Sequence, residues 1–196
     1  MDAVRQGYDR WAASYDDHDP STEIDEPLLL ELAGPLEGCR VLDVACGTGR
    51  YARLLQRAGA KVIGIDVSRG MLGRAHSLRV LQARSDRLPF AERSFDLVSC
   101  GLLFDHLREL RPTLREMARV ARQRVVISTI HPAMLELTGA TVDAPTYLHS
   151  LDALERDAAA CDLHLVERRE PHVASDHPRW RWRTHVPALA VFSFAR

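Results

Sequence analysis

Val44-Ala45-Cys46-Gly47-Thr48-Gly49-Arg50 joins a short apolar run to an amphipathic helical pattern, and two acids frame it. Asp43 lies just before the turn, and Asp66 ends the next apolar run. Glycines let a backbone approach a ligand closely, and such a turn offers exposed N–H groups to it. The junction of a parallel strand with its following helix is where α/β sheets bind nucleotides. A carboxylate at the end of the second strand can take both hydroxyls of a ribose. Together, loop and acid point to an adenosine-containing cofactor; the competing reading is a tight turn and a strand-end charge with no ligand.

Which cofactor is the sharper question. Gly47-x-Gly49-x-x-Ala52 formally satisfies the dinucleotide fingerprint, with Asp66 near the expected separation. Asp43 argues for a different ligand. Inside an apolar strand and four residues before the first glycine, its carboxylate would repel a pyrophosphate and welcome an ammonium group. The turn also lacks any other donor aimed at phosphate. An amino-acid moiety with a positive amine suits it better, and an NAD-linked oxidoreductase stays open as the alternative.

The elements that must position these groups follow from pattern. Residues 40–45, 61–66, 79–83, 96–100 and 124–130 read as strands alternating with helices, which argues for a parallel sheet covered on both faces. Ser68 and Ser150 are N-cap candidates, the second opening a helix to about residue 161, and Pro112 opens another to about residue 120. Pro132 ends the fifth strand. Residues 163–168 and 190–194 are two further strands. Residues 4–15 form a helical pattern before a turn-prone Asp16-Asp17-His18-Asp19-Pro20, so the organisation is an N-terminal lid or extension over residues 1–30 and one α/β domain over 31–196.

Composition narrows the class. The 196 residues carry 26 basic and 27 acidic side chains, and a net charge of −1 lacks the basic field of a non-specific nucleic-acid binder. No apolar run reaches the length that spans a bilayer. Met1-Asp2-Ala3-Val4-Arg5 lacks a basic-then-apolar signal, so the cytoplasm is the expectation. Cys39, Cys46, Cys100 and Cys161 have neither zinc nor redox spacing, which gives no metal site and reduced thiols.

At this point the sequence resembles a known family. Val41-Leu42-Asp43-Val44-Ala45-Cys46-Gly47-Thr48-Gly49 is similar to motif I of class I S-adenosylmethionine (SAM) dependent methyltransferases. Gly64-Ile65-Asp66-Val67-Ser68-x-x-Met71-Leu72 and Leu88-Pro89-Phe90-x-x-x-Ser94-Phe95-Asp96 resemble the next two motifs. Order and spacing fit the small-molecule, type 11-like subgroup over about residues 8–131. The resemblance implies a Rossmann-like, doubly wound sheet of order 3-2-1-4-5-7-6 with strand 7 antiparallel, and an N-terminal helical lid. It implies a cofactor site at Asp43, Ala45, Gly47 and Gly49 for the methionine part, Asp66 for the ribose, and Val67 and Met71 on the adenine. Cys100 and Gly101 would lie beside the transferable methyl. Tyr8-Asp9-x-Trp11-Ala12-x-x-Tyr15-Asp16 resembles the lid segment, with Tyr8 and Tyr15 over the methionine end.

One position departs from the family. Where relatives place an aspartate that accepts the adenine amino group, this chain has Arg84, and arginine cannot accept a hydrogen bond. Either the Ser85 backbone recognises adenine or Asp86 reaches in. Arg84 also keeps a non-catalytic SAM-binding protein or regulator open as an alternative.

The implied reaction moves a methyl group from SAM, leaving S-adenosylhomocysteine (SAH), to oxygen or nitrogen of a small molecule, with carbon and sulfur also open. His131, directly after the fifth strand, is the expected general base, and Tyr15 its partner from the lid. His106, in Phe104-Asp105-His106-Leu107, reads as structural. His149, His172, His177 and His185 read as solvated or loop-packing. Trp180-Arg181-Trp182-Arg183 suits stacking or anion binding, or an alternating strand.

Overall fold

The computed structural model describes residues 2–17, 22–138, 144–172 and 186–196. Seven strands form one sheet in the order β3-β2-β1-β4-β5-β7-β6. They are β1 (Arg40–Val44), β2 (Lys61–Asp66), β3 (Val80–Gln82), β4 (Phe95–Gly101), β5 (Ala121–Ile130), β6 (His164–Arg169) and β7 (Leu189–Ala195). β7 pairs antiparallel with β5 and β6, and the other pairings are parallel. This is the Rossmann-like sheet that the resemblance implies. Its central strands are buried on both faces, as β-branched and apolar runs such as Val125-Val126-Ile127 require.

Seven helices accompany the sheet among the described residues: α1 (Asp2–Trp11), α2 (Thr22–Ala33), α3 (Arg50–Arg57), α4 (Arg69–Leu72), α5 (Arg111–Val120), α6 (Pro132–Thr138) and α7 (Leu151–Ala159). The Ser68 hydroxyl accepts the Met71 N–H and that of Ser150 the Ala153 N–H, so both expected caps form. Two helices have no counterpart in the sequence expectation. α2 carries Pro27 inside it and packs against β5 and β7, so the boundary expected at residue 30 falls within this helix. α6 begins at Pro132, which both ends β5 and opens a helix, where its missing N–H costs nothing.

Strand order reverses between β1 and β4, and the crevice beyond their carboxyl ends is where such sheets bind ligands. Register brings the chemistry there: Val44 pairs with Cys100, Asp43 with Ser99, and Gly101 with Ser128. Behind this edge the fully buried Asp25 accepts hydrogen bonds from the Tyr51 and Ser128 hydroxyls and an ion pair from Arg50 at 3.2 Å. The Tyr51 ring is thereby fixed against Gly101, where an added Cβ would overlap it. Gly101→Ala is therefore expected to destabilise the fold by about 1–3 kcal/mol. A urea-denaturation midpoint unchanged from wild type would show that the ring moves freely.

Candidate functional site

The turn after β1 is bent by positive φ at Ala45 (58°), Gly47 (55°) and Gly49 (91°). Space for a Cβ is open at Gly47, whereas at Gly49 it would collide with Leu78. Asp66 holds this turn to the end of β2. Its Oδ2 accepts the Gly47 N–H at 2.9 Å and its Oδ1 accepts the Ser68 N–H at 2.8 Å. Burial pushes the Asp66 carboxyl up, and these two N–H donors oppose that shift.

A cavity of about 550 Å³, its open mouth included, lies over this edge. Tyr8, Tyr15, Ala45, Gly47, Asp66, Val67, Met71, Ser85 and Gly101 all line it, together with Val4, Ile65, Ala83, Leu102, Leu103 and His106. Residues from α1, the turns after β1 and β2, the segment after β3 and the end of β4 thus meet on one wall.

Four expected cofactor residues lie elsewhere. Asp43 is fully buried beneath the glycine turn, where Oδ1 accepts the Ser99 hydroxyl at 2.9 Å and Oδ2 has no partner among the described residues. Burial pushes its carboxyl up to about 7. Gly49 serves as the N-cap of α3. Cys100 is completely buried, packed in the core with Val44 and Ile65, while the neighbouring Gly101 lines the cavity. Arg84 turns outward, bonding Asp86 through Nε at 2.8 Å and through its terminal nitrogen at 2.6 Å. That pairing holds the Asp86 carboxyl below the usual range. Ser85 takes the place at the wall, its hydroxyl 3.0 Å from that of Thr113.

His131 also departs from expectation. Its ring is not on the cavity wall: Nδ1 accepts the Ala133 N–H at 3.2 Å, and Nε2 lies 3.1 Å from Glu170. The first turn of α6 needs an acceptor for its N–H groups, and the neighbouring histidine supplies it. The histidine that does line the cavity is His106. Its Nε2 lies 2.7 Å from the Tyr8 hydroxyl and its Nδ1 2.9 Å from the Pro145 carbonyl oxygen. His149 packs as a loop residue, its Nε2 donating to the Leu107 carbonyl at 2.7 Å. His172 is exposed, while His177, His185 and the Trp180–Arg183 cluster lie outside the described residues.

The N-terminal segment closes over the cavity through four polar contacts. Asp9 Oδ1 accepts the Ser68 hydroxyl (2.6 Å) and the Gly70 N–H (2.9 Å), Asp16 accepts the Thr48 hydroxyl (2.7 Å), and Tyr8 meets His106. Tyr8, Trp11 and Tyr15 form one aromatic cluster, with ring centroids 4.8–6.2 Å apart. Asp9 and Asp16 belong to the lid-like sequence but carried no role in the sequence analysis.

The elevated Asp43 carboxyl has a measurable consequence. The native state holds a proton that the unfolded chain releases near pH 4, so this group's contribution lowers stability as pH rises through about 4 to 7. The difference is worth at most roughly 4 kcal/mol. Asp43→Asn should flatten the fall in melting temperature across that window; an unaltered pH dependence would remove Asp43 as its source.

A family model described as a methyltransferase domain matches residues 42–129. The biotin biosynthesis bifunctional protein BioHC of Cellvibrio japonicus is 32% identical over 155 residues, 74% of this chain and 31% of that protein. Malonyl-[acyl-carrier protein] O-methyltransferase of Pseudescherichia vulneris is 35% identical over 124 residues, 61% of this chain and 49% of that protein. The chain thus spans about a third to a half of the length of these curated relatives. Among solved structures, magnesium protoporphyrin IX methyltransferase from Synechocystis PCC 6803 with bound SAH superposes with a TM-score of 0.75 at 20% identity. That match covers 98% of this chain and 95% of the other.

Proposed function

The chain belongs to the class I SAM-dependent methyltransferases, and on that premise we propose that it moves a methyl group from SAM to an oxygen or nitrogen of a small-molecule acceptor. The observation that carries this reading is the cavity wall at the β1–β4 switch point, with Asp66 at its centre. Each Asp66 oxygen accepts one backbone N–H, and its remaining lone pairs suit the two hydroxyls of a ribose. Gly47, with open space where a side chain would stand, admits the methionine part. An ammonium group bound above the turn would favour the charged form of Asp43, whose Oδ2 has no partner among the described residues. Val67 and Met71 give an apolar bed for the adenine, and Ser85, rather than Arg84, stands at its edge.

Bound there, SAM supplies a methyl carbon activated by a sulfonium. The protein's part is alignment and exclusion of water. Tyr8 and Tyr15 cover the cavity from the lid, and Gly101 and Leu102 form its floor where β4 ends. Holding two reactants in line in a dry pocket supplies much of the acceleration in such a displacement. Similarity to an O-methyltransferase supports oxygen as an acceptor atom, and a net charge of −1 gives no electrostatic footprint for nucleic acid. Among the described residues, no helix is long and apolar enough to cross a membrane.

Asp66→Ala is expected to fold and to bind SAH about ten- to a hundredfold more weakly, from the loss of charge-assisted hydrogen bonds worth roughly 1.5–3 kcal/mol. Calorimetric titration with SAH measures this directly. Equal affinity in wild type and variant would refute the ribose assignment, and no SAH binding by the wild type would refute the cofactor reading.

A further inference from the structure

Methyl transfer to an O–H or N–H acceptor needs a proton acceptor, and His131 is turned away from the cavity. Resting on the methyl-transfer reading above, we propose that Tyr8 is the catalytic residue that takes the acceptor's proton as it passes its own to His106.

Geometry fixes the direction of that relay. A carbonyl oxygen only accepts, so the 2.9 Å contact with Pro145 places the His106 ring proton on Nδ1. Nε2 then presents a lone pair, and the Tyr8 hydroxyl, 2.7 Å away, donates to it. Imidazole and phenol meet edge to face at 5.3 Å, and both line the cofactor cavity. His106 is buried, and its Nε2 lies 3.6 Å from Asp105 Oδ2, a carboxylate placed to balance an imidazolium.

The step balances. The acceptor's lone pair forms the new bond to the methyl carbon as the pair of the C–S bond returns to sulfur. The acceptor's proton moves to the Tyr8 oxygen while the Tyr8 proton moves to His106 Nε2. One positive charge is lost at sulfur and one gained on the imidazole. His106 also lines a second cavity with Asp86, Arg108 and Glu109, and the two latter residues are exposed, so the imidazolium can discharge its proton to water there. The titratable groups in contact with His106 are Tyr8 from α1 and Asp105 from its own turn; His149 lies near Asp105. Asp86 and Glu109 stand across the second cavity.

The test uses the full chain, methyl-tritiated SAM and a deproteinised metabolite extract as acceptor mixture, with initial rates read at saturating donor. Tyr8→Phe and His106→Gln are expected to lower label transfer by about 10²–10⁴-fold, while SAH affinity in calorimetry changes far less. Tyr8 is half-buried on α1 and its phenylalanine variant removes only the hydroxyl, so that variant keeps the fold even if His106→Gln does not. Rates within about threefold of wild type in Tyr8→Phe, or in folded His106→Gln, would overturn the relay. A wild-type chain that binds SAH yet transfers no label would overturn the methyl-transfer reading and the relay with it.

Discussion

The Asp66 carboxylate accepts the Gly47 N–H through one oxygen and the Ser68 N–H through the other. These two bonds join the turn after β1 to the turn after β2, so the cavity wall is a property of two adjacent strands and not of a loop. The arrangement is demanding because Asp66 is almost completely buried, and burial alone would favour its neutral form. Two backbone donors oppose that tendency. The open space at Gly47, the position of Val67 and the start of α4 all follow from the same carboxylate.

A second buried acid organises the opposite side. Asp25, on α2, gathers the hydroxyls of Tyr51 and Ser128 and the guanidinium of Arg50, which also lies over the Tyr51 ring at 4.1 Å. Removing one partner from such a network leaves a buried polar group unpaired, which is costly. α2 is therefore fastened to the sheet where β4 and β5 end, and it forms part of the domain's packing.

The sheet was legible from sequence because its strands are apolar runs punctuated by glycine and proline at the places where strands must stop. The glycine turn and Asp66 were legible because chemistry demands those residue types at that junction. α2 was not: Pro27 and the unbroken Leu28-Leu29-Leu30 hide helical periodicity, and Asp25 has partners 26 and 103 residues away. His131 was assigned by its place after a strand, but Pro132 starts a helix whose first N–H groups claim the ring. Arg84 was assigned by alignment to a motif, and its ion pair two residues on turns it outward. Tyr8 and His106 were each noticed, yet 98 residues separate them and no spacing rule pairs them.

The contacts that close the N-terminal segment run from protein to protein: Asp9 to Ser68 and Gly70, Asp16 to Thr48, Tyr8 to His106. None of these bonds requires a ligand. A gate of this kind raises the barrier to entry and to exit by the same amount, so it lengthens residence time without tightening equilibrium binding. Weakening any one latch therefore quickens ligand exchange in both directions, at a pace set by how often α1 lifts.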